Sequence, residues 1–158
     1  MTSPSPALPL EHRDKAPPRP AEAGWAFVFA AWLVATASTL GALFLSEVMA
    51  VAPCALCWYQ RVFMFPLVFV LACGLFPLDR RVLRYATPLV VVGWLVALFH
   101  LLLTRGYIPE TMTPCTQGIP CSQIDVEWFG FVTIPLLSLL SFSAIGLALA
   151  AAHYKTRQ

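Results

Sequence analysis

Two closely spaced cysteines, Cys54 and Cys57, are the residues of this 158-residue chain whose types and spacing most directly indicate chemistry. Trp58, Gln60 and Arg61 follow them immediately. A Cys-x-x-Cys pair can form a redox-active disulfide, provide half of a metal site, or have only a structural or incidental role. The spacing favours the redox interpretation, because a disulfide that closes so short a loop is labile.

A second pair, Cys115 and Cys121, lies in a polar stretch that contains proline and glycine. Viewed alone, this pair fits a structural disulfide as well as a redox-active one. A zinc site built from all four cysteines is a further alternative, although such sites normally combine two tightly spaced pairs. Of the three possible connectivities, we favour disulfides within each pair at rest, because electrons could then be exchanged between two disulfides.

The composition indicates a membrane protein and argues against a soluble globule or a nucleic-acid-binding protein. Charged residues make up 11% of the chain, less than half of the roughly 25% found in soluble domains. The net charge is only +2, and no basic patch is interleaved with aromatic residues. Four segments have about the 20 residues that a helix needs to cross hydrocarbon. These segments are residues 25–46, 58–78, 85–104 and 129–152.

The fold class that follows is an all-α membrane protein, a four-helix up-down bundle within residues 25–152. Eight of the ten Lys and Arg residues lie in the N-terminal arm, in the connection between spans two and three, and in the C-terminal tail. The positive-inside rule places these regions in the cytoplasm. The outer loops, 47–57 and 105–128, then each carry a cysteine pair on the outer face, which in bacteria is oxidising. Residues 1–24 are predicted to be a disordered proline-rich tail, and residues 153–158 a second cytoplasmic tail.

The beginning of the second span suggests how a thiolate could be stabilised. The N-terminus of a helix has unpaired N–H groups and a partial positive charge, which favour a thiolate at Cys54 or Cys57. Gln60 and Arg61 share a helix face with Cys57. Arg61 could stabilise a Cys57 thiolate or attract the oxygen of an electron acceptor, or it could extend to lipid headgroups. Trp58 could line an acceptor pocket.

Two further residues have open roles. His100 lies near the outer end of span three, where either a hydrogen bond to a neighbouring carbonyl or proton handling at an acceptor is expected. Cys73 lies in the middle of span two among apolar residues. We predict that it is a small buried hydrophobic residue with no redox role.

The run Cys54–Arg61 (CALCWYQR) resembles the C-x-L-C-x-x-Q/E-R signature of the DsbB/BdbC disulfide bond formation proteins. Residues 93–102 resemble the third span of that family, and two segments, 120–123 and 127–139, resemble the region of the BdbC-type fourth span. The resemblance extends over about residues 25–150. It implies a four-span thiol:quinone oxidoreductase of the inner membrane.

In the implied reaction, the protein reoxidises a thioredoxin-like periplasmic or secreted dithiol oxidase of the DsbA/BdbD type. The thiolate of this partner would attack the Cys115–Cys121 disulfide, with Cys115 in the mixed disulfide. Electrons would then pass to Cys54 and Cys57, and Cys57 would form a transient adduct or charge-transfer complex with the quinone. One departure is that only five residues separate the second pair, whereas the DsbB branch spreads it over a much longer loop.

The resemblance also assigns the quinone site. Arg61 matches the family's quinone-binding arginine, and we expect Cys57, Gln60, Trp58 and His100 around a bound ubiquinone or menaquinone. No metal is expected. Two alternatives stay open: an enzyme like vitamin K epoxide reductase, and a disulfide- or metal-stapled membrane scaffold that has no catalytic activity.

Overall fold

The structure is a computed structural model, and it describes residues 20–76, 79, 81–108 and 133–157. In these residues four long helices form, and a short π-helical segment, Phe44–Val48, continues the first of them. The helices are α1 Pro20–Leu43, α2 Ala55–Leu75, α3 Arg81–Thr104 and α4 Ile134–Arg157. All four are long and apolar enough to cross a membrane. The prediction of a four-helix, multi-pass membrane protein is therefore confirmed.

The start of α1 and the end of α4 differ from the predicted boundaries. Helix α1 already begins at Pro20, so the last five residues of the tail predicted as disordered are helical. Proline suits the first position of a helix, because the N–H that it lacks would have no partner there. Helix α4 runs to Arg157 through most of the predicted C-terminal tail, which has no glycine or proline to end it. Residues 1–19 and 129–132 lie outside the described residues.

The boundaries of α2 and α3 differ for reasons of local capping. Helix α2 begins at Ala55, three residues before the predicted span, because Cys54 serves as its N-cap. It ends at Leu75, and Phe76 is already extended, since the Pro77 that follows disfavours a helical backbone there. Helix α3 begins at Arg81 rather than at residue 85. The carboxylate of Asp79 accepts a hydrogen bond from the Arg81 backbone N–H at 2.9 Å, which stabilises the additional turn.

The bundle is held together by small residues and by hydrogen bonds between helices. Helices α1 and α3 both pack against α2 and α4. A Cβ placed on Gly93 of α3 would overlap the ring of Phe142 on α4, so only glycine permits this close approach. Trp94 Nε1 donates to Ser143 Oγ at 3.0 Å, which adds a polar link between the same two helices.

The connection between α1 and α2 determines where the cysteine pair lies. After the π-helical segment, Ala50 adopts a left-handed backbone with φ of 53°, and Val51 N–H donates to the carbonyl of Leu45 at 3.0 Å. The chain thus reverses within a few residues and reaches Cys54 in an extended conformation. As a result, the cysteine pair lies beside the end of α1.

Candidate functional site

The pair of cysteines lies at the N-terminus of α2, and both residues are thiols in this structure. Cys54 Sγ accepts a hydrogen bond from the backbone N–H of Cys57 at 3.4 Å and lies 3.3 Å from Cys57 Sγ. Cys54 is buried and Cys57 is partly exposed. Because the two sulfurs are already in contact, a small movement is sufficient to close a disulfide between them.

His100 and Gln60 form a buried polar pair behind Cys54. His100 is fully buried on α3, and Gln60 of α2 is 6% exposed. The amide Nε2 of Gln60 lies 3.0 Å from His100 Nδ1, and His100 Nε2 lies 3.8 Å from Cys54 Sγ. An amide N–H donated to Nδ1 would leave the ring hydrogen on Nε2, the nitrogen that faces the sulfur.

Cys54, which precedes the membrane-spanning part of α2, is stabilised as a thiolate. A hydrogen bond with the Cys57 thiol makes the largest contribution and lowers the pKa of Cys54 from 9.0 to about 4. Burial opposes this change, while hydrogen bonds with His100 and with the Cys57 backbone support it. The sequence had suggested a thiolate at Cys57 beside Arg61. In the structure, the Cys57 backbone N–H donates to Cys54 Sγ, so Cys54 is also placed to be stabilised as a thiolate.

Arg61 joins α2 to the end of α1. Its guanidinium donates to the carbonyl of Ala42 at 2.8 Å and to Ser46 Oγ at 3.3 Å. It also lies over the ring of Trp58, with Cζ 5.2 Å from the ring centroid. Arg61 is therefore partly buried and directed to the last turn of α1 and to Ser46 of the π-helical segment, rather than extended towards lipid headgroups.

A cavity of about 450 Å³ lies between α1, α2 and α4, next to Cys57. Its walls are mainly apolar, and the size is in the range of small-molecule sites. Its polar lining consists of Cys57, Gln60, Arg61, Ser38, Ser138 and Ser141. The cavity thus combines a reactive sulfur, an amide and a guanidinium with an apolar interior.

Two residues expected around an acceptor are placed elsewhere. Neither Trp58 nor His100 is among the residues that line the cavity. Trp58 is half exposed beneath Arg61, and His100 lies behind Gln60 and Cys54. Gln60 is consequently the residue that contacts both the cavity and the histidine.

The remaining cysteines have different outcomes. Cys115 and Cys121 lie outside the described residues, so their predicted roles stay predictions. Cys73 is an exposed thiol, and the prediction that it is buried was wrong. Leu67, Leu71 and Gly74 form the buried face of this part of α2, which leaves Cys73 on the outer surface of the bundle.

Sequence reasoning missed Ser46 and the carbonyl of Ala42 as the partners of Arg61. It also missed the hydrogen bond between Ser38 and Ser141, which joins α1 to α4 at 3.0 Å beside the cavity. A serine in an apolar span is a weak signal for an interhelical hydrogen bond. The partners could not have been identified without knowing how the helices pack.

Comparison with known proteins identifies relatives over nearly the whole chain. The family profile "Disulfide bond formation protein DsbB" matches residues 24–153. A "Probable disulfide formation protein" of Metapseudomonas resinovorans is 45% identical over 140 residues, which cover 88% of this chain and 97% of that protein. "Disulfide bond formation protein C" of Bacillus subtilis is 41% identical over 119 residues, which cover 75% and 86% respectively. No solved structure matches the chain significantly.

The matched region contains α2, α3 and most of α1 and α4, together with Cys54, Cys57, Cys115 and Cys121. Two sulfurs in contact at the end of a membrane helix are suited to thiol–disulfide exchange, and the relatives are named for disulfide formation. This chain therefore belongs to the DsbB family of disulfide bond formation proteins, and it is a membrane-embedded disulfide oxidoreductase.

Proposed function

We propose that the protein takes electrons from a thioredoxin-like dithiol oxidase on the outer face of the bacterial inner membrane and passes them to a membrane quinone. The electrons enter at Cys115 and Cys121 and continue to Cys54 and Cys57. The observation that carries the proposal is the cavity, because Cys57, the outlet of the pathway, borders a space of about 450 Å³ that is suited to an apolar acceptor.

The cavity residues fit a quinone headgroup. A flat ring with two carbonyl oxygens needs apolar walls and hydrogen-bond donors, and the cavity offers Arg61 and Gln60 as donors. Arg61 would hold a quinone oxygen, and Gln60 would supply a second donor from the same helix. When bound, the quinone supplies a sink for two electrons and two protons. Three membrane-spanning helices border the cavity, as suits an acceptor that resides in the bilayer.

The two cysteines of α2 have different tasks in this proposal. Cys57 faces the acceptor because its side chain borders the cavity. Cys54 would supply the thiolate sulfur that joins Cys57 Sγ, 3.3 Å away, as the electron pair of the dithiol leaves through Cys57 to a bound quinone. Closing the Sγ–Sγ bond removes two electrons from the dithiol and, counted from the two thiols, two protons. His100 stabilises Cys54 as an anion until the bond forms.

The direct test uses the reduced full-length protein in lipid nanodiscs under anaerobic conditions. A soluble quinone analogue is added, and its ultraviolet absorbance and the number of remaining thiols are followed together. We expect the wild type and Cys73→Ser to consume quinone and lose thiols in parallel, and Cys57→Ser to do neither. Normal quinone reduction by Cys57→Ser would contradict the proposal, and so would a wild type that never reduces quinone.

The proposed orientation has its own test. Tyr107 follows α3 on the dithiol side of the bundle, Tyr154 lies near the end of α4, and both side chains are exposed. With the five native cysteines replaced by serine, a cysteine placed at Tyr107 should react with a membrane-impermeant maleimide in intact spheroplasts. A cysteine placed at Tyr154 should react only after the membrane is permeabilised. The reverse pattern would overturn the assignment of cytoplasmic termini.

A further inference from the structure

We propose that the reduced protein binds one soft divalent cation of the Zn²⁺ class between Cys54 Sγ, Cys57 Sγ and His100 Nε2, and that the bound ion blocks closure of the disulfide. The binding itself does not depend on the proposed function, because it needs only the dithiol and the histidine. The site would make the reduced enzyme sensitive to thiophilic metals on the side of the membrane where the dithiol lies.

The distances among the three groups suit such an ion. The ligand atoms of Cys54, Cys57 and His100 all lie within 4.8 Å of one another. The two sulfurs are 3.3 Å apart, and Cys54 Sγ is 3.8 Å from His100 Nε2. With Zn–S bonds of about 2.3 Å and Zn–N bonds of about 2.0 Å, tetrahedral angles require about 3.8 Å between sulfurs and about 3.5 Å between sulfur and nitrogen. The sulfurs would have to separate by about 0.5 Å, and Cys54 Sγ and His100 Nε2 would have to approach by about 0.3 Å. Cys57 Sγ and His100 Nε2, which lie within 4.8 Å of each other, would have to approach by no more than about 1.3 Å.

The ligands are also held in place by the fold. Cys54 is the N-cap of α2, and His100 is fully buried on α3, so the site connects two packed helices. Cys57 is partly exposed at the N-terminal end of α2, which gives an ion access to the sulfurs. Three protein ligands leave a fourth coordination position for water or another small ligand. Two thiolates and an imidazole are ligands that favour Zn²⁺ and related soft cations.

Gln60 can support the metal-bound state as well as the thiolate. A metal on Nε2 requires the ring hydrogen on Nδ1, which lies 3.0 Å from the Gln60 amide. Rotation of the amide presents its oxygen to this hydrogen, because the amide group has a donor and an acceptor at the same end. An outer partner of this kind fixes the tautomer of a metal-binding histidine.

The balance of the binding step is simple. Two thiols lose two protons, and each sulfur donates a lone pair to the ion, while no electrons are transferred. The sulfurs cannot then form a bond with each other, because the lone pairs that would form it are committed to the metal. A chelator reverses the step, and the disulfide form of the pair offers no thiolate to bind.

The experiment uses the full-length protein with the other cysteines removed, Cys73→Ser/Cys115→Ser/Cys121→Ser, reduced and in detergent. Cadmium is titrated as the probe, and the thiolate-to-cadmium absorption and the released protons are measured. We expect one equivalent of Cd²⁺ to bind and Zn²⁺ to displace it. Adding Cys57→Ser should abolish the absorption. Adding His100→Ala removes one of the three ligands. Cadmium binding should weaken by more than the roughly 10–100-fold that follows when a residue hydrogen-bonded to a ligand is lost.

Two results would overturn the inference: a cadmium signal that is unchanged by His100→Ala, or no thiolate–cadmium absorption in the parent protein. Gln60→Glu is a variant that should gain affinity, so its result does not depend on a loss of signal that misfolding could also cause. A carboxylate that accepts the hydrogen of His100 Nδ1 makes the imidazole a better ligand and should tighten cadmium binding. Oxidation of the metal-free wild type by quinone is measured in parallel. If quinone oxidises the dithiol but cadmium does not bind, only this inference fails; if cadmium binds without any quinone reduction, only the proposed function fails.

Discussion

Gln60 Nε2 lies 3.0 Å from His100 Nδ1, and this contact joins the wall of the cavity to the buried side of the dithiol. At the other ring nitrogen of His100, Nε2 lies 3.8 Å from Cys54 Sγ. Two routes therefore lead from Cys54 to the cavity. One passes through the sulfur of Cys57, and the other passes through hydrogen-bonding groups. The first can carry electrons, and the second determines how well Cys54 holds a negative charge.

Removing the amide of Gln60 should weaken the thiolate at Cys54. In Gln60→Leu, Nδ1 of the buried His100 loses its donor, and an unsatisfied buried polar group costs about 1–3 kcal/mol. The ring is then free to hold its hydrogen on Nδ1, which takes the donor away from Cys54 Sγ. We expect the pKa of Cys54 to rise and closure of the disulfide to slow. Rates of alkylation as a function of pH measure the pKa in protein whose Cys73, Cys115 and Cys121 are replaced by serine.

His100→Ala provides the comparison for Gln60→Leu, because it removes the same donor directly. If Gln60 acts by positioning His100, the two substitutions should raise the pKa of Cys54 in the same direction, and the double variant should add little to His100→Ala. An unchanged alkylation profile in Gln60→Leu would show that the amide does not position the ring.

The stability of the reduced protein should depend on pH because of Cys54. Its pKa is about 4 in the folded protein and 9.0 as an unperturbed thiol. Between these values the folded state has released a proton that the unfolded state still holds, so stability rises with pH through this window. The contribution is complete above about pH 9 and is lost as the pH falls to about 4. We expect the thermal midpoint of the reduced wild type to show this slope.

Cys54→Ser separates this contribution from those of other groups. The difference in thermal midpoint between reduced wild type and reduced Cys54→Ser should widen from pH 4 towards pH 9, within the window that the pKa of Cys54 defines. A difference that stays constant over this range would mean that Cys54 is not ionised in the folded protein.

The parts of this site that are local in sequence were predictable, and those that depend on packing were not. The four spans follow from hydropathy, and the Cys54–Cys57 pair follows from its spacing. The start of α2 was misplaced because hydropathy does not report that a cysteine sulfur caps the helix. The exposure of Cys73 was missed because both faces of a membrane helix are apolar, and so composition does not distinguish the buried face from the lipid-facing one.

The surroundings of Arg61 show the same limit. Its position four residues after Cys57 was apparent from the sequence, but its partners belong to the end of α1. The π-helical turn at Phe44–Val48 accompanies this contact, and the carbonyl of Ala42 is available to the guanidinium at 2.8 Å. A hydrophobic segment gives no signal of such a turn, so the residues that hold Arg61 in place became visible only in the folded bundle.

Replacing Arg61 should weaken acceptor binding and loosen the end of α1 together. Arg61→Ala removes a charge-assisted hydrogen bond to Ala42, worth about 1.5–3 kcal/mol, and takes the guanidinium out of the cavity wall. We expect the apparent affinity for quinone to fall by roughly 10- to 100-fold. Arg61→Lys should fall between wild type and Arg61→Ala, because an ammonium group keeps the charge but not the two-armed geometry. Quinone titrations of the reduction rate give these affinities.

Ser46→Ala is the matched control for Arg61. It removes only the contact between the guanidinium and Ser46 Oγ, which is long at 3.3 Å, and it leaves the cation in place. We expect a change in apparent affinity of no more than about fivefold, the equivalent of about 1 kcal/mol. If Arg61→Ala retained the wild-type affinity for quinone, Arg61 would have no role at the acceptor and would serve only to hold α1.

Filling the cavity from α1 provides the most selective test of its purpose. Gly41 lines the cavity, and a Cβ added at this position meets no atom within 4 Å. A side chain at this position therefore has room to begin beside the cavity, and Gly41→Phe should fill part of the space proposed for the acceptor. We expect quinone reduction to fall sharply, while Cys54 keeps its lowered pKa because its partners, Cys57 and His100, are untouched. Quinone-dependent thiol loss and the alkylation profile of Cys54 measure the two properties in the same preparation.

Gly41→Ala is the graded control, because a single methyl group takes little of a 450 Å³ cavity. It should retain most of the activity and should not lower stability, since alanine costs less conformational entropy in a helix than glycine. Gly93→Ala, in contrast, should destabilise the whole bundle, because its methyl group would overlap Phe142. Its lowered unfolding temperature shows what a packing defect looks like in the same measurement. If Gly41→Phe reduced quinone at the wild-type rate while unfolding at the wild-type temperature, the acceptor would have to bind elsewhere, and the cavity beside Cys57 would not be the outlet for electrons.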